Sequence, residues 1–126
     1  MSDNKVRSLW HRLTRSQETA EAEELQERIR RLEAMGARPI ASCEVGEAVT
    51  ISGVVQALSL RPKATVPALE IDVYDGSGRV RVMWLGRRSI PGIDAGRPII
   101  VMGRLTQPDG VPTIYNPRYQ LLPRAA

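Results

Sequence analysis

Cations and flat rings recur together along this sequence. Arg61-Pro62-Lys63 carries two cations and no acid, and Tyr74 is followed by Arg79 and Arg81. Arg87-Arg88 gives two adjacent cations, and Tyr115-Asn116-Pro117-Arg118-Tyr119 interleaves rings with a guanidinium; Arg104 lies on the stretch between them. A guanidinium donates two parallel hydrogen bonds from a planar fork and is weakly hydrated, which suits phosphate oxygens. A tyrosine ring offers a π face on which any base can stack. Of the 18 basic residues, all but Lys5 and Lys63 are arginine, and 14 acids reduce the net charge to +4. That excess is mild. It makes a polyanion a candidate partner without requiring one.

Other chemistries lack their residues. His11 is the only histidine and falls on the basic face of a helical stretch, so an exposed position is expected rather than a general base. Cys43 is the only cysteine, which excludes an internal disulfide and a multi-cysteine zinc site; a small buried residue is expected there. No phosphate-binding glycine loop or dinucleotide fingerprint is present. Asp75-Gly76-Ser77-Gly78 lacks the alternating ligands and terminal Glu of a calcium loop and suits a hairpin turn. The expectation is a binding protein, not an enzyme, with no cofactor, metal or small-molecule substrate.

The elements that would position these residues divide at Gly36-Ala37-Arg38-Pro39, giving a helical extension over 1–38 and a β domain over 39–126. Val6, Leu9, Trp10 and Leu13 follow helical spacing, with Trp10 expected to pack against the β domain. A second helix is expected from Thr14 or Ser16, both good N-caps. Its early acids (Glu18, Glu21, Glu23, Glu24) and late bases (Arg28, Arg30, Arg31) complement the helix dipole. Ala22, Leu25, Ile29 and Leu32 form one narrow apolar stripe, suited to docking on the same chain, on a second copy or on another protein. A basic first helix also fits a membrane surface, but its apolar face is small. The longest aliphatic run is Ile99-Ile100-Val101-Met102, far short of the ~20 residues of a membrane helix. The first residues carry no apolar core, so no secretory signal and a cytoplasmic location are expected.

After Pro39 the hydrophobic period switches to alternation. Strands are expected at Val49–Val55, with Gly53 where a bent barrel strand needs one, at Leu69–Tyr74, at Arg79–Leu85 and at Ile99–Leu105. A fifth runs from Val111 to about Leu122, bent at Asn116-Pro117. Gly86 to Gly96 has room for one short helical turn. Five antiparallel strands with a long, glycine-bent first strand and an insertion between the third and fourth match the five-stranded Greek-key barrel, the OB-fold. An SH3-like barrel is the nearest rival. The fold class expected is therefore mainly β, an OB-fold barrel behind an α-helical extension.

The four-residue turn sets Tyr74 opposite Arg79, Asp72 opposite Arg81 and Glu70 opposite Met83. It puts Leu69, Ile71, Val73, Val80 and Val82 inside. Asp72 and Arg81 are then expected to form a cross-strand ion pair, a stabilising role that competes with phosphate binding. Trp84 shares the inward parity, as a core residue or a rim residue with one ring face open. Tyr119 is a candidate either for rim packing or for stacking.

Val49–Val55, Leu69–Gly78, Val82–Gly86, Gly92–Gly96, Val101–Leu105 and Asn116–Tyr119 together resemble OB-fold nucleic-acid-binding families. Among these are the wedge domain of RecG-type branch-migrating helicases and the anticodon-binding domains of tRNA synthetases. With Leu9-Trp10 and Leu13-Thr14-Arg15 ahead of the barrel, the whole chain resembles small stand-alone actinobacterial OB-fold proteins. The resemblance implies binding of single-stranded or branched DNA, or structured RNA, with little sequence preference and no motor. The expected nucleic-acid contacts are Arg61, Lys63, Tyr74, Arg79, Arg81, Arg87, Arg88, Arg104, Tyr115, Arg118 and Tyr119. The alternative is a protein–protein adaptor using the barrel face or the N-terminal helix, favoured by the neutralised hairpin and by only two Trp, three Tyr and no Phe.

Overall fold

The computed structural model describes the backbone of residues 2–61 and 66–124, and the side chains of 17–60 and 66–124. By its internal contacts the chain falls into two units, Met1–Ala34 and Met35–Ala126. The first is one continuous helix, α1 (Ser2–Ala34). Two helices were expected from the N-cap residues at 14 and 16. No glycine or proline interrupts residues 2–34, however, and serine or threonine within a helix costs only tenths of a kcal/mol. Leu25 and Ile29 are exposed on this helix and Leu32 is half-buried. The Trp10 and His11 side chains lie outside those described. No described helix is long and apolar enough to cross a membrane.

The second unit is a closed barrel. Its strands are β1 (Ala48–Arg61), β2 (Ala68–Tyr74), β3 (Arg79–Leu85), β4 (Pro98–Thr106), β5 (Thr113–Tyr115) and β6 (Arg118–Leu121). They pair in the order β1-β2-β3-β5-β4-β6, and β1 also pairs with β4, so five strands close a ring. β3 and β5 run parallel while every other pair is antiparallel. The expected fifth strand is split into β5 and β6, because Pro117 has no N–H for the ladder and Asn116 takes a left-handed φ of 49°.

The first strand is longer than the alternation at 49–55 suggested, because it serves two neighbours. Residues 48–54 pair with β4 and residues 54–61 with β2, with a bulge between Val55 and Ala57. The strand changes partner at Val54, directly after Gly53. A Cβ on Gly53 would lie 2.7 Å from the Tyr74 carbonyl oxygen and 2.7 Å from Val73 Cγ1. Ile51, Val55, Leu69, Ile71, Val73, Val80, Val82, Trp84, Ile99, Val101, Leu105 and Ile114 fill the interior. Gly86 to Gly96 contains turns and no helix. Ile90 and Ile93 enter the core from it, each buried, and close that end of the barrel.

At the other end a short segment before β1 serves as the plug. Arg38 N donates to Thr50 O (3.0 Å), Ile40 is buried in a single 3-10 turn, η1 (Ile40–Ser42), and the Arg38 guanidinium forks onto Glu47 (3.0 and 3.4 Å) while also donating to Ser42 O (2.8 Å).

Gly53→Ala therefore has to move backbone, not merely a flexible side chain. We expect a loss of about 1–3 kcal/mol, typical of an overpacked core. Urea unfolding read by tryptophan fluorescence checks this, and an unchanged midpoint would contradict the crossing geometry.

Candidate functional site

The β2–β3 hairpin carries most of the sequence-picked residues, and its turn fixes them. Asp75 starts the turn and accepts four hydrogen bonds: Ile40 N (2.8 Å), Ser77 N (2.8 Å), Ser77 Oγ (2.7 Å) and Gly78 N (3.1 Å). Ser77 Oγ also accepts from Ala41 N (3.2 Å). Partial burial alone would raise the Asp75 pKa, but the Ile40, Ser77 and Gly78 donors outweigh it and hold the carboxyl below the ordinary carboxylate range. The plug and the hairpin tip are thus tied through one side chain.

Beyond the turn the register is Tyr74–Arg79, Asp72–Arg81, Glu70–Met83 and Ala68–Leu85, as the turn length requires. The extended β1 adds Ala57 beside Asp72, Ser59 beside Glu70 and Arg61 beside Ala68, while β5 adds Thr113 beside Arg81 and Tyr115 beside Met83. The outer face therefore has cross-strand rows: Tyr74–Arg79, then Ala57–Asp72–Arg81–Thr113, then Ser59–Glu70–Met83–Tyr115. Tyr74 and Tyr115 are exposed. The Arg79 guanidinium sits over the Tyr74 ring, 5.9 Å from its centroid.

One expected contact is corrected. Arg81 does not pair with Asp72 across the strands. Its Nε lies 2.5 Å from Glu70 Oε1 on the diagonal. Glu70 is only 9% exposed, and a buried carboxylate needs a charge partner and hydrogen bonds. Arg81 supplies the first and Ser59 Oγ a donor at 3.2 Å from Oε2. Burial of Glu70 thus draws the guanidinium away from the half-buried Asp72, whose carboxylate makes no ion pair or hydrogen bond among the described residues.

The far end of the hairpin gathers a second group. Gly86 N donates to Pro67 O (2.7 Å), bringing the start of the β3–β4 connection against the end of the β1–β2 connection. Arg87 and Arg88 follow, both exposed and without a salt bridge among the described residues. The Arg61 backbone lies in the adjoining β1 position; its side chain and Lys63 lie outside the described residues. Asn116 grips this end of β3, donating its N–H to Met83 O (2.7 Å) and accepting from Leu85 N through Oδ1 (2.9 Å). Sequence reading saw only a bend at Asn116. Asparagine's tolerance of positive φ was the available signal.

Three candidates sit elsewhere. Arg104 is on the outer face of β4 beside Ala48 and donates to the Gly46 carbonyl. Arg118 faces outward beside Met102, exposed, with β4 and β5 between it and the hairpin. Tyr119 has inward parity beside Val101 and meets Trp84 edge-on, centroids 5.6 Å apart at 77°. Trp84 is 6% exposed, and its Nε1 donates to Pro117 O (3.2 Å), so it is a core residue. Tyr74, Arg79, Arg81 and Tyr115 share one face with Arg87 and Arg88 at its end; Arg104, Arg118 and Tyr119 do not join it. Sequence reading missed Ala57, Ser59 and the unpaired Asp72, although the alternation of Ala57-Leu58-Ser59-Leu60 signalled a longer strand.

No protein-family model matches this sequence, and no curated protein sequence matches it significantly. Solved structures do match in shape. The second OB-fold domain of replication protein A from Methanococcus maripaludis superposes with a TM-score of 0.56 at 16% identity, covering 71% of this chain and 98% of that one. The p204 HINb domain gives 0.58 at 18% identity over 73% of this chain and 50% of that chain. RecG bound to a three-way DNA junction gives 0.52 at 20% identity over 64% of this chain and 11% of RecG.

The Asp75 tie makes a pH-dependent expectation. Its folded pKa is lowered, so the stability it adds is complete above the unfolded value near 3.9 and is lost as pH falls through the folded value. Asp75→Ala should cost about 1–3 kcal/mol at pH 7 by leaving backbone donors unmatched. Urea midpoints should show that gap closing between pH 5 and pH 2; a gap constant with pH would contradict the assignment. Closed ring, parallel β3–β5 contact and structural neighbours agree on one conclusion: residues 35–126 form an OB-fold barrel.

Proposed function

We propose that this protein is a nucleic-acid-binding module, taking single-stranded or branched DNA or structured RNA, with no catalysis of its own. The observation that carries the reading is the outer hairpin face. An exposed Tyr74 with Arg79 over its ring stands at one end, and Arg87 and Arg88, without a salt bridge among the described residues, stand at the other. Rings that stack and guanidinium groups that reach phosphates are what a strand lying across the face requires. The RecG neighbour, bound to a three-way DNA junction, supports a branched substrate as one of the forms to test. Phosphate contact and stacking dominate this mode, so little preference is expected along most of the strand.

A second reading has its own observation. From Gln56 onward β1 pairs only with β2, and Leu58 and Leu60 on it are exposed, as are Val66 and Leu85 near by. An open strand edge with apolar side chains suits addition of a strand from a protein partner.

Fluorescence anisotropy with a single-stranded DNA, a forked duplex and an RNA hairpin separates the two. Binding should weaken tenfold or more between 50 and 200 mM salt if several phosphates are contacted. Arg87→Glu with Arg88→Glu should weaken it at least about tenfold at low salt, with an unchanged unfolding midpoint. Binding to none of the three would favour the adaptor, and affinity indifferent to the double substitution would reject the placement of the site on this face.

A further inference from the structure

A depression of about 270 Å³ opens on the outer hairpin face, lined by Ala57, Ser59, Glu70, Ile71, Asp72 and Arg81. The small β1 residues Ala57 and Ser59 leave space beside Asp72 and Glu70, one outward position along β2 from Tyr74. Successive outward residues on a strand are about 7 Å apart. That is close to two aromatic stacking spacings, so a flat ring can stand beside Tyr74 with its edge toward the floor.

The floor is chemically specific. Arg81 is ion-paired through Nε with Glu70, without hydrogen-bond geometry there, and its two Nη groups make no hydrogen bond among the described residues. Asp72, directly opposite Arg81 in the register, keeps its carboxylate unpaired. A donor fork and an unused two-oxygen acceptor therefore stand side by side in one half-buried place. Two such groups side by side and not joined to each other are what a ligand with both patterns would complete.

We propose that this depression holds one guanine base. The inference rests on the nucleic-acid reading above and adds to it a single position where base identity counts. Guanine alone among the bases presents two adjacent donors, N1–H and the N2 amino group, to a carboxylate, and two adjacent acceptors, O6 and N7, to a guanidinium. Cytosine and adenine offer one amino group to the carboxylate, and thymine one N–H. Tyr74 supplies the stacking face. Asp72 accepts from the base, Arg81 donates to it, and Glu70 is a positioning residue acting through Arg81.

The test uses the full-length protein and dye-labelled strands of about 15 nucleotides: oligo-dT, the same strand with one central dG, and the same strand with central deoxyinosine, which lacks the N2 amino group. A single guanine avoids self-association of G-rich strands. The dG strand should bind about tenfold tighter than oligo-dT, the lower part of what a good bidentate contact discriminates. Inosine should recover only part of that gain. In Asp72→Asn the guanine-to-thymine affinity ratio should fall to near one. Equal, salt-sensitive binding of dG and dT strands would overturn the guanine site and leave the backbone-binding reading standing. Inosine binding as tightly as guanine would overturn the role of Asp72. Binding of no strand would overturn both.

Discussion

The barrel closes because β1 serves two neighbours, and it can do so only where its backbone passes against β2 without a side chain between them. Gly53 is that place. Its missing Cβ leaves the strand in contact with the Tyr74 carbonyl and the Val73 side chain. Gly103 makes a similar approach on β4, where a Cβ would lie 2.6 Å from Ile114 Cγ2 and 3.3 Å from Pro117 Cβ. The two glycines set how tightly the ring is wound. The same residue whose carbonyl lies against Gly53 presents its ring outward as Tyr74. The height of the aromatic platform above the sheet is thus a consequence of closure. Asp75, one residue on, ties this corner to the plug through Ile40 N.

The electrostatics of the outer face follow from one buried carboxylate. A hairpin with Glu70 and Asp72 on one strand and Arg79 and Arg81 on the other could form one directly opposed ion pair, Asp72 with Arg81. It does not, because Glu70 is the more buried acid, and a buried carboxylate gains more from a charge partner than the half-buried Asp72 does. Arg81 goes to the greater need. Arg79 turns to the Tyr74 ring. The result is a face with a mixed floor and cations at its ends rather than a uniform basic stripe, consistent with a net charge of only +4.

Local patterns in the sequence carried much of this. The turn Asp75–Gly78 and the strict alternation on either side were enough to fix which hairpin residues face in and which register pairs them. Trp84's inward parity placed it in the core, though not its hydrogen bond to Pro117 O. The features that escaped are those decided by a distant partner. The second half of β1 exists because β2 is there to pair with it. The diagonal Arg81–Glu70 contact depends on burial that no parity rule contains. The split of the long helix failed to occur because an N-cap residue stops nothing unless the chain also has a reason to leave the helix. The expected turn of helix after β3 is replaced by Ile90 and Ile93, whose side chains close the barrel end without one.

That last substitution bears on the site. With no helix after β3, the connection turns immediately at Gly86 and is held to Pro67 by a backbone hydrogen bond. Arg87 and Arg88 are consequently held at the rim of the hairpin, where the β1–β2 connection also ends, instead of being carried off along an intervening element. From Arg79 to Leu85, just before the turn that holds Arg87, the strand path is about 20 Å at the usual rise per residue. Cations at both ends of such a path, with Tyr74 and Tyr115 exposed between, suit a strand of a few nucleotides, near the lower end of what one OB-fold covers. The depression over Asp72 and Arg81 lies beside the Tyr74 end of that path, so a strand held by its phosphates would bring one base to the only part of the hairpin face where the described residues leave an acceptor and a donor fork both unused.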